Sequence, residues 1–296
     1  KESRHSGYTA SQTNRARLAA RNSWRQLGAT ANLRMDNIGK NLITGHLGFI
    51  GSHLLEELGG DGIDLKSGQD IRVYKFEGKY DVIFHAAGQA SIPLSFEKPL
   101  ESHGHNVMGT LRLLEYASKT GAKIVFSSSS SVYELMSPYA LQKSICEQYI
   151  RFYWTLGVKS VALRYFNVFG ERQEIANGGY ALALSKFLNQ FKNGEPFTIY
   201  GTGEQRRDFV YVKDVVEANR KAAEFLENAD SFQVFDVGSG VNHSILEVLG
   251  MISSTHPKVF LPPRIEPFEN LADITKAKEL LNWSPKTSLE EWLRAL

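Results

Sequence analysis

NLITGHLGFIG, residues 41–51, decides the fold. Asn41 to Thr44 reads as the end of an apolar strand. Glycines follow three apart at Gly45, Gly48 and Gly51, and SHLLEEL then takes up helical periodicity. A strand, a glycine turn and a helix together make a phosphate cradle. Glycine lets the backbone turn sharply and approach a pyrophosphate, while the helix start offers unpaired N–H groups and the positive end of a dipole. The spacing is G-x-x-G-x-x-G, not the commoner G-x-G-x-x-G of dinucleotide sites. A glycine-rich turn without a ligand has the same letters, so the rest of the chain must decide.

Further strand–helix units extend outward from this turn. Gly59-Gly60 closes the first helix and GIDL (62–65) reads as a strand. Asp64 lies 13 residues after Gly51, against the roughly 20 usual for an acidic residue that takes a ribose hydroxyl. A plain turn aspartate is its competing reading. YDVIFHAAG (80–88) reads as a buried strand ending in small residues, and 100–120 as one helix with Leu111, Leu114 and Ala117 on its apolar face. KIVFSSSSSVY supplies another strand. In SPYALQKSICEQYIRFYWTLG, Ser137 suits an N-cap and Pro138 the first helical position, with Leu141, Ile145, Phe152 and Leu156 as a core stripe. The alternation predicts an α/β fold with a doubly wound parallel sheet, whose ligands sit at the carboxyl ends of strands. The glycine turn, HAAG and the serine run all fall at such ends.

Composition sets the bounds. The chain has 296 residues, of which 42% are hydrophobic and 22% charged, as in ordinary globular proteins. No run of about 18 apolar residues offers a membrane span. The single cysteine, Cys146, rules out an internal disulfide and fits a reducing cytoplasm, and the Cys/His content is too sparse for a structural zinc. The net charge of +2 hides an asymmetry. Residues 1–34 carry seven Lys or Arg and one acid, leaving 27 basic against 31 acidic residues from 35 onward. That basic stretch reads as an expression-vector leader outside the fold rather than a nucleic-acid-binding arm. Neither nucleic acid nor membrane is therefore expected as a partner.

Tyr139 and Lys143 are four apart and share a helical face. An isolated Y-x-x-x-K is more often a surface pair, but this one follows a serine-rich strand end. A tyrosine must lose its proton to act as a base, from a reference pKa of about 10. A neighbouring ammonium favours the phenolate, and a serine hydroxyl can hold the substrate oxygen.

TGHLGFIG (44–51), HAAG (85–88), SSSSVY (128–133), SPYALQK (137–143) and LRYFNVFGERQ (163–173) together resemble the extended short-chain dehydrogenase/reductases, and more narrowly their nucleotide-sugar 4-epimerases of the UDP-glucose/UDP-galactose type. The resemblance continues through FTIYGTGEQRRDFVYVKDVVEA (197–218), FDVGSG (235–240) and LADITKAKELLNWSPKTSLEEWL (271–293). It implies NAD as cofactor and a UDP-sugar as substrate. Gly45, Gly48 and Gly51 would cradle the pyrophosphate, with Phe49 and Ile50 lining it. Asp64, Asp70 and Ile71 would meet the adenosine end, and Ala86, Ala87, Gly88 and Asn106 would lie along the cofactor. Ser129, Tyr139 and Lys143 would be the catalytic triad, with Tyr139 and Lys143 also contacting the cofactor and Ser129 the substrate. Asn167, Tyr200, Arg207 and Arg264 would hold the nucleotide half of the substrate. The arginines have a physical rationale, since permanently charged forks suit a diphosphate.

The resemblance also implies organisation. Residues 35–175, with part of 197–241, would form the dinucleotide-binding domain, and 176–196 with 242–296 a smaller, discontinuous α/β substrate lobe. The helices GTLRLLEYA and ICEQYIRFYWTL would pair with a second subunit in a homodimer. Two segments depart from the family: 133–139 and 58–70 are compressed, which we read as loops omitted from the printed sequence. Three rival activities compete. They are reduction of a 4-keto nucleotide sugar with NAD(P)H, decarboxylation of a UDP-uronate, and silent binding of NAD or a sugar nucleotide by a regulator. Dehydratases of the family carry Thr-Asp-Glu where this chain has Ser129, Ser130 and Ser131, so elimination is disfavoured.

Overall fold

The computed structural model describes residues 40–173 and 183–296. The leader reading of 1–34 and residues 176–182 of the segment 176–196 lie outside them. The central sheet is parallel and six-stranded, ordered β2-β1-β3-β4-β5-β10. Its strands are β1 (Asn41–Thr44), β2 (Asp61–Ile63), β3 (Val82–His85), β4 (Lys123–Ser129), β5 (Ser160–Tyr165) and, after an excursion, β10 (Gln233–Val237). Neighbouring residues on one strand feed opposite faces. Ile43, Phe84, Val125 and Leu163 point into one core cluster. Leu42, Ile83, Ile124 and Ala162 point into the other. Burial on both faces explains why these strands read as continuous apolar runs.

Helices cover both faces. On the first lie α1 (Phe49–Leu58) and α7 (Val212–Asn228). On the second lie α4 (Gly109–Thr120) and α5 (Pro138–Thr155). The order reverses at β1, whose neighbours β2 and β3 are reached on opposite sides. A crevice opens there at the strand ends. The connection from β2 to β3 holds a single 3₁₀ turn, Leu65–Ser67, and no strand, which is the physical form of the compression read in the sequence. The other short connection, 134–137, joins a 3₁₀ turn to α5 with Leu135 left-handed at φ 52°.

Two sequence expectations need correction. Residues 99–120 are helical throughout but not uniformly α: Pro99–His103 is α3, and a π-helical turn, Gly104–Met108, joins it directly to α4. The stripe expected on α5 holds only in part: Ile145 and Leu156 pack against the second cluster, but Leu141 and Phe152 are each at least half exposed. The buried face instead carries Tyr139, Ala140, Lys143, Cys146, Glu147, Ile150 and Tyr153. Polar side chains on this face are buried because they serve the strand ends rather than the core, which hydrophobic periodicity cannot detect.

Outside the sheet, β7 (Phe197–Tyr200) pairs with β12 (Lys258–Leu261), and β8 (Arg206–Asp208) with β11 (Asn242–Ser244). Two small clusters hold these elements. Phe187, Phe197, Ile199, Ile245 and Leu249 form one. Phe169, Leu184, Phe209, Val248 and Leu289 form the other.

Candidate active site

The glycine turn is built by backbone contact. Gly45 has φ 76°, and a Cβ there would lie 2.7 Å from Ala87 N. A Cβ on Gly51 would lie 2.0 Å from Gly45 O. Gly48 N donates to Gly45 O at 2.9 Å and caps α1 without any side-chain partner, leaving first-turn N–H groups to an anion. A cleft of about 330 Å³ opens over this turn, lined by Gly45, Gly48, Asp64, Asp70, Ile71, Ala86, Ala87 and Gly88 among the expected residues. Thr44, the first residue of TGHLGFIG, also lines it, as do Lys66, Gln69, Gln89, Glu101 and His105, which no motif had marked. A cradle that only glycine fits, under an uncapped helix start, suits a dinucleotide pyrophosphate.

Tyr139 and Lys143 do not line this cleft, and four other expected cofactor residues act from behind it. Phe49 and Ile50 pack on the core, Gly51 sits under Gly45, and Asn106 is buried. The π turn presents Asn106 so that its Oδ1 accepts from Gln89 N at 2.7 Å while its Nδ2 donates to Gln142 Oε1 at 2.7 Å. Asp64 holds the cleft edge, accepting from Leu47 N at 3.0 Å and Lys66 N at 2.8 Å. Asp70 is paired with Arg72, which pulls its carboxyl below the usual range.

His85 locks the inner wall. Thr110 donates its proton to Asn106 O at 2.7 Å, so its oxygen accepts from His85 Nε2 at 3.0 Å. Thr44 Oγ1 accepts from Ala87 N at 3.2 Å and gives its proton to His85 Nδ1 at 2.8 Å. The partners thereby assign a neutral ring protonated at Nε2. Complete burial, reinforced by the Lys143 charge, lowers its pKa to about 3.

Lys143 reaches the end of β4, where its Nζ donates to Ser127 O at 2.7 Å. Nζ lies 5.9 Å from the Tyr139 ring centroid and 3.7 Å from the position a Cβ on Gly88 would take. Burial lowers the pKa of its ammonium, with Cys146 and Glu147 opposing. Ser137 caps the helix that carries both residues, accepting from Ala140 N at 3.1 Å. Ser129 Oγ receives two donors, Ser131 N at 3.2 Å and Ser131 Oγ at 2.9 Å. Both acceptor sites of the Ser129 hydroxyl are filled, so its own proton is what it can offer an incoming oxygen. Beneath them Glu147 accepts from Ser128 Oγ at 2.6 Å and from both forks of Arg164.

A second cavity, about 100 Å³, is lined by Asn167 and Arg207 together with Leu184, Phe209 and Glu266. Arg207 Nη2 is paired with Glu266 at 2.7 Å. Tyr200 and Arg264 are not part of that lining. They stack on each other, with the guanidinium carbon 3.4 Å from the ring centroid. Among the described residues no group of three or more His, Cys, Asp or Glu side chains is placed to hold a metal.

Comparison with known proteins agrees with this geometry. A protein from Methanocaldococcus jannaschii named as a putative UDP-glucose 4-epimerase is 32% identical, over 86% of this chain and 95% of its own length. A UDP-N-acetyl-alpha-D-glucosaminuronate decarboxylase of Bacillus cytotoxicus is 29% identical over 86% of this chain and 95% of its own. Among solved structures, a UDP-N-acetylglucosamine 4-epimerase from Methanobrevibacter ruminantium in complex with UDP-N-acetylmuramic acid superposes with a TM-score of 0.78 at 33% identity, covering 88% of this chain and 97% of that one. The family profile described as NAD dependent epimerase/dehydratase matches residues 41–238, and with the glycine cradle, the Tyr139–Lys143 helix and the serine turn in place the chain belongs to that family.

Proposed function

We propose that this chain interconverts the C4 epimers of a UDP-hexose through a 4-keto intermediate. The observation that carries the proposal is the end of β4, where Ser129 is left with a proton to give and Lys143 is anchored beside the gap at Gly88. NAD, when bound, takes the hydride from sugar C4 and returns it. Gly45, Gly48 and Gly51 hold its pyrophosphate, with Phe49 and Ile50 supporting the turn and Asp64, Asp70 and Ile71 at the adenosine end. Ala86, Ala87 and Gly88 leave room along its length, with Asn106 bracing that wall.

Tyr139, as phenolate, takes the proton of the sugar 4-hydroxyl and later returns it. Lys143 stabilises that phenolate electrostatically. Ser129 donates to the sugar oxygen and steadies the keto form. Asn167, Tyr200, Arg207 and Arg264 hold the nucleotide and diphosphate, so the keto sugar can turn about its anchor and present its other face. Tight hold on the nucleotide and loose hold on the hexose are both required.

Residues 35–175 with part of 197–241 form the dinucleotide domain in this proposal, and 176–196 with 242–296 the substrate lobe. Exposed Met108, Leu141, Tyr149 and Phe152, clustered on or beside α4 and α5, support a homodimer paired through those helices. The free, buried Cys146 fits a reducing cytoplasm.

Proton NMR of purified protein mixed separately with UDP-glucose and UDP-N-acetylglucosamine, without added cofactor, tests the reaction. The galacto epimer is expected from at least one sugar. No change in either, even with NAD added, overturns the proposal. Because one relative is named as a decarboxylase, UDP-glucuronate belongs in the same assay, where release of carbon dioxide would favour that activity instead.

A further inference from the structure

Asn270 occupies a junction that no sequence motif marks. Its segment runs beside β8: Arg206 N donates to Phe268 O at 2.8 Å, Asp208 N to Asn270 O at 3.1 Å, and Asn270 N to Arg206 O at 3.2 Å. With its backbone committed to the strand that carries Arg207, its side chain is left to bridge. Oδ1 accepts from Asn167 Nδ2 at 3.3 Å, and Nδ2 donates to Ser130 Oγ at 3.1 Å. A flipped amide would set donor against donor at Asn167, so the partners fix its orientation. Asn167 is tied in turn to Asp208 O at 2.7 Å and lines the cavity with Arg207. Ser130 follows Ser129 and opens the 3₁₀ turn from which Ser131 donates twice to Ser129 Oγ.

We propose that Asn270 is a positioning residue that couples nucleotide binding to the catalytic serine. One side of its amide holds Asn167 in the nucleotide anchor. The other holds the turn that presents Ser129. Filling the anchor therefore favours the turn geometry needed for proton donation, and by linkage the turn geometry favours the nucleotide. The inference rests on the nucleotide-sugar reading of the site given above.

The test is a double-mutant cycle on the full chain with Asn270→Ala, Ser130→Ala and both together. UDP affinity is measured by calorimetry, and kcat and KM by epimerisation. Asn270→Ala is expected to lower kcat about tenfold, as a small misplacement of a reacting group does, with a smaller change in KM. Ser130→Ala is expected to weaken UDP binding severalfold although Ser130 does not line the nucleotide cavity. In the Asn270→Ala background it is expected to do nothing further to either quantity, the signature of a shared interaction. Additive losses, or a Ser130→Ala protein with wild-type UDP affinity and kcat, overturn the coupling. Asn270→Ser carries the same cycle should the alanine protein not fold. A wild type that binds UDP but epimerises neither sugar removes the reaction proposed above, while the binding cycle still decides the coupling. A wild type that does not bind UDP removes both.

Discussion

His85 gives the site its sharpest dependence on acid. Its folded pKa of about 3 lies below the unfolded value of about 6.5, so between these values the unfolded chain binds a proton that the folded chain refuses. Stability from this group is complete above about pH 6.5 and falls as pH drops toward 3, by up to about 1.4 kcal/mol per pH unit. Urea midpoints measured between pH 7 and 5 are expected to decline, and His85→Gln to flatten that part of the decline. Tyr139→Phe removes the proton acceptor and is expected to lower kcat by about 10³-fold, within the range for general acid–base groups. The variant should still retain NAD, measured by absorbance after denaturation. Ser129, Tyr139 and Lys143 could be picked out in the sequence because their chemistry fixes their local spacing. Gln142, Glu147 and Asn270 could not, since what they touch lies 17 to 140 residues away and only the fold creates those contacts.

At the scale of elements, the glycine turn and α1 form as one unit. Gly51→Ala places a methyl against Gly45 O at 2.0 Å, whereas Gly48 has φ −84° and its nearest neighbour would stand 3.2 Å away. Gly51→Ala is therefore expected to lose about 1–3 kcal/mol of stability along with its NAD, and Gly48→Ala much less stability, compared by denaturant titration. Helix α5 is fixed near its middle by the Glu147–Arg164 pair, which is largely withdrawn from solvent. Glu147→Gln leaves that guanidinium without its counter-charge and is expected to cost about 3 kcal/mol. Adding Arg164→Met should return much of this, read as the melting temperatures of the single and double variants. Strands and most helix positions followed from sequence because both-sided burial and caps are local signals. The π turn did not, although Gly104 and Gly109 bracket it, because glycine in a helical stretch has several meanings.

For the whole molecule, α5 carries large apolar side chains into solvent, Leu141 at 50% and Phe152 at 55% exposure. Light scattering is expected to give twice the chain mass, and Phe152→Glu to shift the protein toward monomer. The parallel sheet was legible as a class, but the partner of its last strand was not: β10 pairs with β5 across an excursion that includes β7 and β8. That topology dictates an order of events during translation. The ribosome releases the cofactor cradle and the Tyr139–Lys143 helix first, with β5 left as a bare outer strand. Its free edge stays unpaired until β10 emerges. A nascent chain stalled before residue 233 thus presents an adhesive border next to a nearly finished cradle, and makes the interval between β5 and β10 the period when this protein most needs a chaperone.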